Sequence, residues 1–237
     1  MSDVGNPYAA PGSDLATSTD GAGAGVAPYT VGEMRAAFRR FAWAYWSYIG
    51  SSILMIIGLV ALVVTMVVAS GAPRRGREFE ALFEGENGMV FAILFMGMVL
   101  LMVAISILLM VFSLILLYRY WRVMQPYTTR TTPGKAVGFL FIPFYNLYWM
   151  FVAYHGLAKE IDAYIASHPG TEAPRPETSL ILVMVIMMVM SFVPYLGSLA
   201  GLGLIVLFYI SKMRLNNSII GIIADRARGD VAAAAPR

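Results

Sequence analysis

Few residues of this 237-residue chain are of types that could do chemistry. There is no cysteine, which excludes disulfides, thiolate catalysis and cysteine-ligated metals within the chain, and there are two histidines, His155 and His168. If the segment is helical, His155 shares one face with Lys159 and Asp162, at i+4 and i+7. A lone histidine at the aromatic end of a helix is a candidate ligand for haem or a chlorophyll magnesium. We therefore keep His155 as the candidate for cofactor binding, while predicting no metal site and no resident cofactor.

Catalytic motifs are missing from the sequence. It contains no HExxH, no GxSxG and no phosphate-binding loop. The charged residues make up 13% of the chain and are absent from its long apolar stretches, whereas proton relays and ion-coupled transporters need charges at membrane depth. The sequence predicts that the protein is not an enzyme and argues against an active transporter.

Pro143 and Asn146 interrupt an aromatic stretch that reads PGKAVGFLFIPFYNLYWMF. Proline removes a backbone donor and leaves the carbonyl of Phe139 without its helical partner. In lipid that carbonyl must find another donor, and an amide such as Asn146 should face protein rather than lipid. We interpret the pair as a kink with a polar packing contact; a polar spot in a conduit is the alternative.

The elements that position these residues are apolar segments long enough to cross a bilayer. The chain is 59% hydrophobic, and about 20 apolar residues cross a ~30 Å hydrocarbon core. The sequence predicts an all-α, polytopic membrane protein whose four transmembrane helices cover about 49–70, 89–117, 136–156 and 179–211, the last kinked at Pro194. These lie in a helical transmembrane domain over 31–228, between disordered tails at 1–30 and 229–237.

Basic residues set the predicted orientation. Arginine and lysine cluster before the first span, after the second and after the fourth, where Lys212 and Arg214 follow the apolar run. The positive-inside rule puts these three regions in the cytoplasm, so both termini are predicted to be cytoplasmic and the 158–178 loop to be outside. This distribution explains the net charge of +3 without nucleic acid, and no nucleic-acid partner is expected.

A second arrangement also has four crossings. In it the 136–155 segment re-enters the membrane without crossing, and 179–211 is a hairpin that turns at Pro194 to Gly197. Its arms of about 15 residues are short for a ~30 Å core, so the kinked helix is preferred. Gly197 and Gly201 have the small-residue spacing that lets helices approach closely, and they are candidates for a helix–helix contact.

The run from Pro133 to Trp149 resembles a signature of small bacterial multi-span membrane proteins that belong to domain-of-unknown-function families. Its form there is PG-x-AVG-(W/F)-x-F-(I/V)-P-x-x-NL-(W/Y), and about 25 residues of this chain follow it closely. The resemblance implies a multi-pass protein of the bacterial cytoplasmic (inner) membrane with about four helices, in which Pro143 and Asn146 belong to the fold. It implies no activity.

These observations predict a non-catalytic membrane scaffold, or an accessory subunit of a larger membrane complex. Its expected partners are the lipid bilayer and either another membrane protein or further copies of itself. A passive channel or transporter built around Pro143, Asn146 and Pro194 is the first alternative. A haem- or pigment-binding subunit that uses His155 is the second.

Overall fold

The protein is described by a computed structural model over residues 28–69, 86–128, 130–193 and 196–234. Every regular element in these ranges is a helix, so the predicted all-α class is confirmed. Two of the helical stretches, Val31–Ala61 and Ala92–Tyr127, are long and apolar enough to cross a membrane, and Thr178–Met190 is a shorter apolar helix.

The first two helices form an antiparallel pair. Helix α1 covers Val31–Ala69 and helix α2 covers Glu86–Met124. A capping box starts α1: the Glu33 amide donates to Thr30 Oγ1 (3.2 Å), and the Thr30 amide donates to the Glu33 carboxylate (2.7 Å). Arg119, near the end of α2, donates to the Glu33 carbonyl at 3.3 Å. The start of α1 is thereby held beside the end of α2.

The aromatic stretch folds back on itself. Helix α3 (Pro133–Gly138) and a 3₁₀ turn (Phe139–Phe141) lead to a sharp bend, after which helix α4 (Tyr145–Met150) returns. Trp149 Nε1 donates to the Ala136 carbonyl at 3.1 Å, and the Trp149 ring packs edge-on against Phe139 at 4.8 Å. The segment predicted as one helical span over 136–156 is therefore broken by a bend into shorter helical pieces.

The bend has a local physical cause. Pro143 lacks an amide hydrogen, and Phe144 has φ 60°, the left-handed region that a non-glycine residue rarely adopts. The Pro143 carbonyl accepts from the Tyr145 amide at 2.7 Å, which closes the turn. After α4 the chain passes through a π-helical segment (Phe151–Gly156) into helix α5 (Leu157–Ser167).

A second hairpin joins helix α6 (Thr178–Met190) to helix α7 (Leu196–Ala234). Arg214 on α7 pairs with Glu177, just before α6, at 3.0 Å, and a Cβ added at Gly203 would lie 2.7 Å from Met187 Cε. The two helices thus run side by side, whereas one span kinked at Pro194 was predicted over 179–211. Pro194, the predicted kink, lies outside the described residues.

The predicted helical domain begins where α1 begins, but its predicted end lies inside α7. Val31, the predicted first residue of the helical domain, is the first residue of α1, and residues 1–27 lie outside the described ranges. The predicted C-terminal tail begins inside α7, which continues to Ala234. The arginine-rich end of α7 explains the difference, because Arg228 pairs with Asp225 one turn before it and with Glu172 at 2.7 Å.

Buried and exposed apolar residues separate into two layers. The first, which we call the buried base, contains the start of α1, the end of α2, the two ends of the first hairpin, α5, the start of α6 and the second half of α7. The second, the apolar band, has exposed apolar side chains on α1 from Ile53, on α2 from Met89 to Val111, at the 141–148 bend, and around the α6–α7 turn. In the band apolar side chains are exposed on all its helices.

Ion pairs and a cap fasten the base. The loop before α6 is tied to α7 by the ion pairs of Arg214 with Glu177 and of Arg228 with Glu172. The hydrogen bonds that Arg228 donates to the Glu172 and Asp225 carboxylates raise the pKa of Arg228. Arg226 donates twice to the Val123 carbonyl at 3.3 Å and so caps the end of α2. The 158–178 region, predicted to lie on the opposite side, therefore packs at the same end as the basic flanks.

Candidate functional site: a buried lysine beneath an apolar cavity

Lys212 is the most unusual residue of the base. The sequence places it directly after the apolar run of α7, where it was expected to be a flanking surface cation. In the structure its side chain is completely buried, with 0% of its surface exposed. A lysine is almost never fully buried without a charged partner, so its surroundings define the candidate site.

One hydrogen bond and three aromatic rings surround the Lys212 ammonium. It donates to the Ser113 carbonyl at 3.4 Å. It also lies 4.6 Å from the centre of the Tyr154 ring, 5.5 Å from that of Phe208 and 5.9 Å from that of Phe41. Among the residues described, no aspartate or glutamate forms an ion pair with it.

These contacts compensate the charge only in part. Removing an ammonium from water costs several kcal/mol even after the protein relaxes. A desolvated cation–π contact returns about 2 kcal/mol, and two of the three rings stand near the ~6 Å limit of that interaction. A hydrogen bond to a charged group adds about 1.5–3 kcal/mol. Burial accordingly lowers the pKa of the Lys212 ammonium, and a negative group near it would favour the charged form.

Four elements bring these groups together. Helix α7 presents Phe208, Lys212 and Asn216 on one face, at i, i+4 and i+8, and Asn216 accepts from the Tyr120 hydroxyl at 3.4 Å. Helix α1 supplies Phe41 and α2 supplies Ser113. Each of these side chains is at least partly buried, so the constellation is part of the packed base.

The fourth element is the π-helical segment Phe151–Gly156, which carries Tyr154. A π-helical turn holds extra residues relative to an α-helix, and such turns are frequent at functional sites. Trp121 Nε1 of α2 donates to the Ala153 carbonyl at 3.1 Å and fixes this turn against α2. Tyr154 is consequently directed at the lysine by a local irregularity of the helix.

An apolar cavity of about 440 Å³ lies beside the lysine cluster, within the size range of small-molecule sites. It extends into the apolar band between α1, α2, the first hairpin and the α6–α7 pair, and part of its surface is open. Its lining residues are Tyr48, Ser106, Leu109, Met110, Ser113, Leu114, Leu140, Phe141, Met150, Tyr154, Met188 and Phe208. Three of them, Ser113, Tyr154 and Phe208, also contact Lys212, so the cavity ends directly against the wall that covers the ammonium.

This arrangement suits binding more than catalysis. An apolar cavity with one buried cation behind its inner end favours a molecule with an apolar body and a negative or negatively polarised end. The described residues contain no group of three or more histidine, cysteine, aspartate or glutamate side chains that could hold a metal ion. The cavity and the lysine together support recognition by apolar contact and by charge.

The residues singled out from the sequence lie elsewhere. His155 is in the π-helical segment beside Tyr154; its Nδ1 is buried and has no hydrogen-bond partner in the described part of the chain, and it does not line the cavity. Pro143 and Asn146 belong to the bend of the first hairpin, where the backbone amide of Asn146 donates to the Ile142 carbonyl at 3.0 Å. They therefore shape a turn rather than a kink.

The predicted glycine pair does not coincide with the close approach of α6 and α7. A Cβ added at Gly201 would meet no atom within 4 Å, whereas one at Gly203 would press against Met187. Gly197 lies in the first turn of α7, in a stretch whose side-chain surroundings the structure does not describe. The contact that a small residue permits is therefore two positions later than the predicted pair.

A signal for Lys212 does exist in the sequence. Leu215, Ile219 and Ile222 follow it at i+3, i+7 and i+10, which is the spacing of one helix face. All three are buried. Continuing that stripe backwards puts Lys212 on the buried face, although its type and its place after an apolar run indicate a flanking charge. Nothing in the sequence pairs it with Ser113 or Tyr154.

Comparison with known proteins adds a family and no activity. No curated protein and no solved structure matches the chain. One family matches residues 80–200, which include Ser113 and Tyr154, whereas Lys212 lies after the matched range. The expected likeness to a family of unknown function is confirmed; the bacterial origin and the specific signature stay predictions. Because the match covers just over half of its residues, the chain belongs to the family described as Domain of unknown function (DUF4328).

Proposed function

We propose that this protein is a non-catalytic, multi-pass membrane protein that binds an amphiphilic molecule from the bilayer, with the negative end of that molecule directed at Lys212. The observation that carries the proposal is the shared wall of Ser113, Tyr154 and Phe208 between the apolar cavity and the buried ammonium. The proposal keeps the expected non-catalytic role and adds a ligand class to it.

The apolar band supports the membrane location. Soluble proteins rarely expose contiguous apolar patches of more than a few hundred Å². Here exposed leucine, isoleucine, valine, methionine and phenylalanine side chains continue over α1, α2, the first bend and the α6–α7 turn. Lipid is the solvent that accepts such a surface. We infer four crossings, by α1, α2, α6 and the first part of α7, with the 141–148 bend entering the bilayer without crossing it.

Charge supports the orientation. The arginines and lysines of the described residues lie at the base or on its edge, whereas the α6–α7 turn over 191–193 has none. The positive-inside rule then puts the base in the cytoplasm, as expected for a bacterial inner-membrane protein whose two termini face inward. Helix α6 has 13 residues, about 20 Å by its rise per residue, which is shorter than the ~30 Å hydrocarbon core, so the crossing that we infer for α6 requires the bilayer to be thinner around it.

The ligand class follows from the two parts of the site. A cavity lined almost entirely by apolar side chains accepts a hydrocarbon chain, and part of its lining belongs to the apolar band. The ammonium behind its inner end lowers the electrostatic energy of an anion placed there, and the low dielectric of the surroundings strengthens that attraction. A single-chain carboxylate such as a long-chain fatty acid combines both features.

Binding of a fluorescent long-chain fatty acid to the protein in phosphatidylcholine nanodiscs tests the proposal. The fatty alcohol of equal chain length is the neutral comparison. We expect wild-type protein to prefer the acid, because only the acid interacts with the ammonium. Lys212→Met keeps the apolar stem and removes the charge, so it should bind the acid at least ten-fold more weakly (about 1.4 kcal/mol) while binding the alcohol unchanged.

Two further variants complete the experiment. Lys159→Met removes an exposed lysine and should leave both affinities unchanged. Leu109→Trp fills the cavity and should weaken acid and alcohol alike. Equal affinity of wild-type protein for the two probes, or an unchanged acid affinity in Lys212→Met with intact thermal stability, would show that the lysine is only a packing feature.

The channel and pigment-binding alternatives stay predictions. The channel requires a flux across liposomes that Asn146→Leu abolishes, and pigment binding requires a Soret or chlorin absorption band in the purified protein.

A further inference from the structure

A second groove lies between α1 and α2, on a surface that the Lys212 cavity does not reach. Its volume is about 520 Å³. It is lined by Ala36, Arg39, Arg40, Trp43, Ala44 and Ser47 of α1 and by Ile105, Leu108 and Phe112 of α2. None of these residues lines the first cavity or contacts Lys212.

The groove is graded from basic to apolar along the helices. Arg39 and Arg40 form its end next to the base, and Leu108 with Ile105 forms its end in the apolar band. Because helices rise 1.5 Å per residue, the eight positions from Arg39 to Ser47 span about 12 Å. Trp43, with 73% of its surface exposed, lies between the two ends, at the level where tryptophan marks a membrane surface.

The two arginines are available to a ligand. Both are exposed, and neither forms an ion pair or a side-chain hydrogen bond with another described residue. The nearest acidic residue on the same helix, Glu33, is occupied by the capping box of α1. The basic end therefore has uncompensated positive charge beside an apolar channel, and two guanidinium groups match the oxygens of a phosphate.

We propose that this groove binds an anionic glycerophospholipid, with its phosphate between Arg39 and Arg40 and an acyl chain along Ile105, Leu108 and Phe112. The charge of the basic end complements the phosphate, and the apolar end complements the chain, which fits basic pockets between transmembrane helices as lipid headgroup sites. The glycerol backbone then lies beside Trp43. An acidic peptide would leave the apolar end without a partner.

The test measures the thermal unfolding midpoint of the purified protein in mild detergent on addition of phosphatidylglycerol, compared with equal additions of phosphatidylcholine. A ligand that binds only the folded state raises the midpoint. We expect phosphatidylglycerol to raise it more than phosphatidylcholine does. The Arg39→Gln/Arg40→Gln variant should lose that difference, and its phosphatidylglycerol affinity measured by native mass spectrometry should fall at least ten-fold.

A matched control separates a site from general charge. Arg122→Gln/Arg175→Gln removes two exposed arginines that do not line the groove, and it should retain the phosphatidylglycerol effect. Leu108→Trp obstructs the apolar end and should reduce the effect while leaving the arginines in place. Equal loss in both double variants, or equal stabilisation of wild-type protein by glycerol phosphate alone, would overturn the proposal, since the first indicates diffuse charge and the second a free phosphate.

The two binding proposals are tested by different variants, so either one can be contradicted without the other. Arg39→Gln/Arg40→Gln should leave the fatty-acid preference unchanged, because that preference depends on Lys212. Lys212→Met should leave the phosphatidylglycerol effect unchanged, because Lys212 is buried in the base and does not line the groove.

Discussion

At the scale of single residues, the buried polar groups of the base serve two purposes. Trp121 and Trp149 each donate an indole hydrogen bond of 3.1 Å to a backbone carbonyl, of Ala153 and Ala136 respectively. Each bond gives a hydrogen-bond partner to a carbonyl in the folded-back segment, and neither involves a charged group. Lys212 differs, because its side chain is ionisable, has one backbone acceptor and lies behind the wall of a cavity. We therefore propose that the two tryptophans stabilise the fold and that the lysine takes part in ligand binding.

This distinction gives a prediction for Trp121. Trp121→Phe keeps a ring in the base but removes the donor to the Ala153 carbonyl, and we expect it to lower the free energy of unfolding by about 1–3 kcal/mol. Trp43→Phe alters a tryptophan that is 73% exposed and should change stability by no more than about 0.5 kcal/mol. Thermal melts followed by circular dichroism measure both. Equal melting temperatures for the two variants would contradict the assigned role.

At the scale of elements, the helices are held to one another by close contacts that depend on small residues. Gly221 on α7 lies directly against the loop that precedes α6: a Cβ added there would be 2.6 Å from the Ala173 Cα atom and 2.7 Å from its Cβ atom. The nearest obstacle is backbone, which cannot move aside as a side chain does. Together with the two ion pairs of that loop, this contact fixes where α6 begins.

Gly221→Ala should therefore destabilise the protein by about 1–3 kcal/mol, the usual cost of overpacking. Gly229 provides the matched comparison. It lies on the same helix, and an added Cβ would meet nothing within 4 Å. Gly229→Ala should stabilise α7 by up to about 1 kcal/mol, because alanine loses less conformational freedom in a helix. A stable Gly221→Ala variant would show that α6 and its loop do not pack as described.

At the scale of the whole molecule, the two hairpins decide how often the chain would cross a membrane. With both helical arms of the first hairpin joined to the base, the bend at Phe144, which is 87% exposed, lies in the apolar band. With α6 antiparallel to α7, the turn that follows Met190 lies at the far end of the band from the base. From these positions we propose four crossings and one re-entrant hairpin.

Cysteine labelling tests that arrangement cleanly, because the chain has no native cysteine. Ser167→Cys lies at the end of α5 in the base, and Ser191→Cys lies in the α6–α7 turn; both serines are exposed. In sealed membrane vesicles and intact cells, an impermeant maleimide should reach the two positions from opposite sides. Labelling of both from the same side would contradict the α6 and α7 crossings.

Local sequence determined the helical class, the two longest apolar helices and the position of the first turn. Those features depend on neighbours along the chain: apolar length gives α1 and α2, Thr30 and Glu33 start α1 at Val31, and Pro143 ends one helix before the next begins. Only the tertiary structure decided that 133–156 and 178–234 are hairpins. A proline bends or breaks a helix, and contacts between the arms decide which.

The candidate site depended on the tertiary structure even more. Lys212 and its acceptor on Ser113 are 99 positions apart, and Tyr154 reaches them through a π-helical turn that no pattern in the sequence predicts. Residue type and apolar periodicity describe what a segment prefers next to water or lipid. Whether a charge at the end of such a segment meets solvent or an aromatic wall is fixed by distant parts of the chain, which only folding brings into contact.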